Sequence, residues 1–194
     1  MDCYELILSR RTVRRFKPDP IPDEVLEKMV DAARLAPSAA NLQPLRYLMV
    51  TDPDIRARIF PCLRWAAYIN PDGNPPPGSE PAAYIVILVD DQAGGGFYRY
   101  DVGYACENLL LAGLTFGVAG CAMLAFDPKV IVAEFDPPDH LRPDLVVALG
   151  YPDETPMAVD RSDTVKYWRD DNGRHIVPKK PLAEVMYKNG LSRD

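Results

Sequence analysis

Ala83-Tyr84-Ile85-Val86-Ile87-Leu88-Val89 decides the fold. Seven apolar residues in succession leave no polar face to turn to water, so the stretch reads as a central strand covered on both sides. Leu145-Val146-Val147-Ala148-Leu149-Gly150-Tyr151 has the same character and predicts a second buried strand. Tyr47-Leu48-Met49-Val50-Thr51 predicts another, and the small residues Gly117-Val118-Ala119-Gly120-Cys121-Ala122-Met123 turn into a short strand. Working outward, a short N-terminal helix ends near Ser9-Arg11. Asp23 to Leu35 forms a helix with Val25, Met29, Ala32 and Ala33 at helical spacing, stopped by Pro37. Ile55 to Ala67 reads as a helix or a helix pair broken around Pro61, and Pro128 to Phe135 as another helix. Between Tyr100 and Gly117, Val102, Ala105, Cys106, Leu109, Leu110, Gly113 and Leu114 recur at helical spacing, and Gly103, Ala105 and Ala112 permit close approach. Apolar strands alternating with helices predict a sheet with helices on its faces.

The chain has 194 residues, 47% of them hydrophobic, which suffices for one full core but hardly two. Its 22 basic and 28 acidic side chains argue against a nucleic-acid or anionic-membrane partner. No run approaches the roughly 18 apolar residues of a membrane span, and the charged N-terminus is no secretory signal, so a cytoplasmic protein is expected. Cys3, Cys62, Cys106 and Cys121 contain no CxxC pair, and with only His140 and His175 they make neither a zinc pattern nor a disulfide framework; no metal is expected. Pro71 to Gly78 is a surface loop. Gly94-Gly95-Gly96 lacks the Lys-Ser/Thr of a P-loop and the spacing of a dinucleotide fingerprint, and reads as a flexible turn.

The positive charge is local. Ser9-Arg10-Arg11-Thr12-Val13-Arg14-Arg15-Phe16 sets four arginines around a hydroxyl in a chain of net charge -6, a composition that suits one phosphate better than a polyanion. The plainer alternative is an amphipathic turn whose arginines pair with surface carboxylates. Beyond Pro152 the chain becomes polar, carries Tyr167-Trp168, and ends in Pro178-Lys179-Lys180-Pro181-Leu182; such a tail lies either on another subunit or back on its own domain.

Set beside Ala36-Pro37-Ser38-Ala39-Ala40-Asn41-Leu42-Gln43-Pro44, the segment Arg10-Arg11-Thr12-Val13-Arg14 resembles the paired N-terminal motifs of the FMN-dependent nitroreductase family. Asp101 to Gly120 is similar to the family's long core helix and following strand, and Ala148 to Pro152 and the basic ending match in order. The resemblance implies an α+β fold of three layers, α-β-α, with a mixed, mainly antiparallel central sheet flanked by helices. It implies one FMN-binding domain over residues 1–194, with 152–194 as a C-terminal arm wrapping a homodimer partner and residues of both chains at each FMN site.

Carried over, Arg10, Arg11 and Thr12 meet the phosphate and ribityl end with Arg14 close by, and Lys179 or Lys180 closes on the phosphate from the tail. Pro37, Ser38, Ala39 and Asn41 meet the flavin ring, Gln43 orients the loop or ring edge, and the interval Met123 to Phe126 lies near the ring. Asn41 and Gln43 alternatively satisfy loop backbone, and Asn108 is either a buried tether or a flavin contact. The implied activity is ping-pong electron transfer from NADH or NADPH through FMN to nitroaromatic, quinone or flavin acceptors. Flavin N5 carries the hydride, so no catalytic side chain is required. Leu45-Arg46 stands where many members have an aromatic residue; Arg46 either favours an anionic substrate or faces solvent. Alternatives are a specialised flavoprotein reaction (dehalogenation, flavin fragmentation or dehydrogenation) and a non-enzymatic binder of a phosphorylated ligand.

Overall fold

The computed structural model describes residues 2–69, 73–93 and 95–191. Pro71 and Asp72 of the proline-rich stretch and Gly94 of the glycine run lie outside the described residues. In chain order the elements are α1 (Cys3–Ser9), α2 (Asp23–Arg34), a 3-10 turn (Ala39–Asn41), β1 (Leu45–Val50), α3 (Pro53–Ile59) continued by a 3-10 turn (Phe60–Cys62), β2 (Ala83–Asp90) and α4 (Tyr98–Thr115). There follow β3 (Ala119–Met123), α5 (Pro128–Phe135), β4 (Leu141–Gly150), β5 (Met157–Asp160), β6 (Trp168–Arg169), β7 (His175–Lys179) and α6 (Leu182–Val185). Helix starts follow local chemistry. Asp52 accepts from the N–H groups of Asp54 and Ile55 ahead of α3, and Asp127 accepts from Lys129 N–H ahead of α5, each with proline in the first turn.

The main sheet runs β1-β2-β4-β3, and every neighbouring pair is antiparallel. Parallel pairing among the described residues occurs at the bridge Thr12–Gly120, which sets the N-terminal segment against β3, and between β5 and β7 of a separate three-stranded sheet, β5-β7-β6. β2 sits between β1 and β4 and is buried over seven residues. Its alternation distributes two cores. Ala83, Ile85, Ile87 and Val89 pack with Val25, Leu26 and Met29 of α2 and Val102, Ala105 and Leu109 of α4. Tyr84, Val86 and Leu88 face Ile59 of α3 and Ile131 of α5 on the other side. The chain therefore has three α-β-α layers, and each fully buried Leu, Ile or Val contributes about 1.5–3 kcal/mol. No helix among the described residues is long and apolar enough to cross a membrane.

At the edge strand β3 the N-terminal segment is pinned by backbone: Val13 N–H donates to Gly120 C=O at 3.1 Å. A Cβ on Gly120 would stand 2.6 Å from the Ala148 carbonyl oxygen and 2.7 Å from Leu149 Cδ2. The carbonyl cannot retreat without opening the β3–β4 ladder. Gly120→Ala is expected to cost about 2 kcal/mol, read as a lower urea midpoint at unchanged slope.

Candidate functional site

α2 ends at Arg34 and the chain turns through Pro37 into a loop that no glycine relaxes. Ala40, Asn41 and Gln43 have φ of 49°, 56° and 50°. The left-handed region costs an L-residue roughly 1–2 kcal/mol, so three such residues need bracing. Asp101, on α4 and only 3% exposed, supplies it. Ser38 Oγ donates to Asp101 Oδ2 at 2.8 Å, and Ala39 N–H donates to Oδ1 at 3.0 Å. The same Ser38 Oγ accepts from Gln43 N–H at 2.9 Å, while the Gln43 amide donates to Asn41 C=O at 3.3 Å. Pro37, Ser38, Gln43 and Asp101 line a small cavity of about 130 Å³. Beside it the Tyr47 phenol is pushed up to about 12, by burial first and then by the Asp101 charge. Arg46 also lines this cavity, where it pairs with Asp90 at 2.8 Å and donates to Gln43 C=O.

Arg10 of the arginine segment meets a different part of α4. Arg10 Nε pairs with Glu107 Oε1 at 2.8 Å, and Arg10 and Thr12 line a cavity of about 530 Å³. Its walls are apolar where Val102, Cys106, Leu110, Ala122, Leu124 and Leu145 meet it, and Gly103, Glu107, Asp144 and Arg99 complete it. Burial, then Glu107, pushes the Cys106 thiol up to about 12, so it is a neutral wall rather than a nucleophile. Arg11 Nη1 donates to Arg10 C=O at 2.6 Å, and burial followed by the neighbouring Arg10 charge lowers its pKa.

Arg14 is held apart from Arg10 and Thr12. Its N–H donates to Glu154 Oε1 at 2.6 Å, its Nη1 lies 3.3 Å from His175 Nε2, and its guanidinium sits 5.3 Å from the Tyr167 ring centre. Arg169 also donates to Glu154, at 3.0 Å, and the Tyr167 ring packs in tilted contact with both Tyr68 and His175. These contacts fasten the β5-β7-β6 sheet to its own chain. Lys179 and Lys180 stand exposed at its end and do not line the Arg10 cavity. Asn108 donates to Ala32 C=O at 3.2 Å, tying α4 to α2.

The structure thus joins Pro37, Ser38, Ala39, Asn41 and Gln43 in one brace and puts Arg10 and Thr12 in one cavity, but the two cavities share no residue. Asp101 and Glu107, their anchors, are six positions apart on α4, about 9 Å along the axis and far round it. Sequence reading passed over Asp101, although its spacing with Ala105 and Leu109 places a carboxylate on the apolar face of α4. Glu154 and His175 carry no comparable signal, because the elements that bury them are short and polar.

Comparison with known proteins places the chain in a family. Residues 7–75 match the model of the nitroreductase family. An iodotyrosine deiodinase from Haliscomenobacter hydrossis is 30% identical over 184 residues, covering 82% of this chain and 83% of that protein. An NADH dehydrogenase from Thermus thermophilus is 29% identical over 185 residues, covering 79% of this chain and 88% of that protein. The crystal structure of an oxidised iodotyrosine deiodinase bound to FMN and 3-iodo-L-tyrosine superposes with a TM-score of 0.69 at 28% identity, over 84% of this chain and 96% of that one. The chain belongs to the nitroreductase family.

Proposed function

We propose that the protein is an FMN-dependent oxidoreductase, working as a homodimer, that takes electrons from NADH or NADPH and delivers them to nitroaromatic, quinone or flavin acceptors. The observation that carries this reading is the cavity of about 530 Å³ with Arg10 and Thr12 in its wall and an apolar side formed by Val102, Leu110, Ala122, Leu124 and Leu145. Its volume falls in the range of cofactor sites, and its lining matches the needs of a flavin nucleotide: a cation for phosphate and apolar walls for the ring. The Arg10–Glu107 pair is part-exposed, so it is worth at most about 1 kcal/mol and gives way readily to a phosphate.

Bound FMN supplies the chemistry, accepting a hydride and passing electrons on. The chain's residues hold and shield it. Arg10, Arg11 and Thr12 bind the phosphate end in this reading, with Lys179 or Lys180 adding charge from the tail. The loop with Pro37, Ser38, Ala39, Asn41 and Gln43 covers the ring, and Leu124, 74% exposed, forms part of its bed. Because that loop faces a different cavity from Arg10 within one chain, the reading completes each site with the loop of a second copy. Exposed Tyr100 and Tyr104 on α4, with Tyr4, Ile7 and Leu8 on α1, supply the apolar surface such a partner would bury. Leu182, Val185, Met186, Tyr187 and Leu191 of the tail are also exposed and extend it.

The test is the visible spectrum of the protein before and after FMN is added, followed by anaerobic NADH and NADPH. A bound flavin spectrum that bleaches with a nicotinamide supports the reading, and no bound flavin after titration removes it. Arg10→Ala is expected to weaken FMN binding about tenfold, the value of one charge-assisted hydrogen bond, with the fold intact by circular dichroism. A reductive dehalogenase is the second reading, favoured by the two iodotyrosine deiodinases above. Iodide release from 3-iodotyrosine under reducing conditions separates it from general nitro or quinone reduction.

A further inference from the structure

Asp101 is a buried carboxylate with no lysine or arginine paired to it among the described residues. Burying a charge in that way is costly unless hydrogen bonds replace the lost water. Here those bonds come from one place. Ser38 Oγ at 2.8 Å and Ala39 N–H at 3.0 Å reach one carboxylate oxygen each, and Ser38 Oγ relays the hold to Gln43 N–H at 2.9 Å. Between these anchors stand Ala40 and Asn41, with Gln43 the third residue at positive φ. One carboxylate therefore braces both ends of a segment that left-handed backbone would otherwise loosen.

We infer that Asp101 is a positioning residue for the flavin: it holds the backbone of residues 38–43 in the single conformation that presents this loop to the ring. The inference rests on the function proposed above. Neutralising the carboxylate leaves Ser38 and Ala39 competing for one acceptor, and the loop relaxes toward ordinary backbone angles. The ring then loses a pre-formed surface while the phosphate end is untouched, because Arg10 is anchored on Glu107 instead.

The experiment uses Asp101→Asn, Ser38→Ala, the double variant, and Arg10→Ala as a contrast. Amide exchange without FMN is expected to speed up at least about tenfold at Ala39 and Gln43 in Asp101→Asn and at Gln43 in Ser38→Ala, with neither site changed in Arg10→Ala. With FMN, Asp101→Asn and Ser38→Ala should each weaken affinity about tenfold and change the visible circular dichroism of the bound flavin. The double variant should add little to either single one, as expected for one linked network. Should Asp101→Asn fail to fold, Ser38→Ala alone decides, since its hydroxyl is the link to Gln43. Unchanged exchange at Gln43 in Ser38→Ala overturns the inference. So does faster exchange with unchanged FMN affinity and flavin dichroism. Wild-type protein that takes up no FMN overturns the functional reading and the inference together, and is recognised before any variant is compared.

Discussion

Gly103→Leu is expected to fold as well as the parent and to bind FMN about a hundredfold more weakly, the upper range of forcing extra methylenes into a fitted site. Glycine inside a helix is destabilising by roughly 0.5–1 kcal/mol relative to alanine, so its presence within the 18 residues of α4 calls for a reason. No neighbour in the chain supplies one: a Cβ at Gly103 would meet no heavy atom within 4 Å, in contrast to Gly113, where Met29 Cε stands 2.7 Å away. The space beside Gly103 is the cavity that Arg10 and Thr12 also line. Leucine, a strong helix former, should therefore keep or raise the melting temperature of the FMN-free protein while its side chain fills the ligand's place. The check pairs thermal unfolding without FMN with fluorescence titration by FMN. Parent-like affinity in a stably folded Gly103→Leu would move the flavin out of this cavity.

The same contrast between what a residue is and what stands beside it explains which parts of the molecule the sequence disclosed. Ala83 to Val89 was legible because both of its faces are buried, leaving an unbroken apolar run that matches β2. β4 begins at Leu141, four residues before the apolar run that announced it, and includes Pro143. Proline is tolerated there because β3 pairs only with positions 146–150, and a register shift between Ile87 and Leu88 falls opposite. β5, β6 and β7 were not legible. They are two to five residues long, and their hold on the chain is a polar cluster around Glu154 rather than a hydrophobic face. In the site, the arginine cluster was visible as composition, but its division was not: Arg10 lies on a cavity wall while Arg14 binds Glu154, His175 and Tyr167. Arg10 caps the C-terminal end of α1, whereas Arg14 follows the Thr12–Gly120 bridge to β3, so the two side chains leave different parts of the fold.

That division makes His175 the source of the second large effect, a loss of stability on mild acidification. His175 is 1% exposed, and its Nε2 lies 3.3 Å from Arg14 Nη1. Arginine only donates, so Nε2 accepts and the ring's proton resides on Nδ1, which has no hydrogen-bond partner among the described residues. A second proton would have to enter at Nε2, against the guanidinium. Burial first, then Arg14, lowers the pKa from 6.5 to about 4; Arg169 and Arg15 act in the same direction, and only Glu154 opposes them. The unfolded chain takes up the proton near 6.5 and the folded chain does not until about 4, so the folded state loses stability as pH falls through this window. A shift of this size corresponds to about 3 kcal/mol, fully retained above the unfolded pKa and lost by pH 4. His175→Gln removes the titrating group. The difference in urea-unfolding free energy between parent and variant, followed from pH 7.5 to 4, should therefore fall steadily against the parent, with the carboxylates common to both chains cancelling. A difference that stays flat across that range would mean that the His175 ring is solvated or reoriented, and that the Arg14 contact is not what fastens the C-terminal sheet.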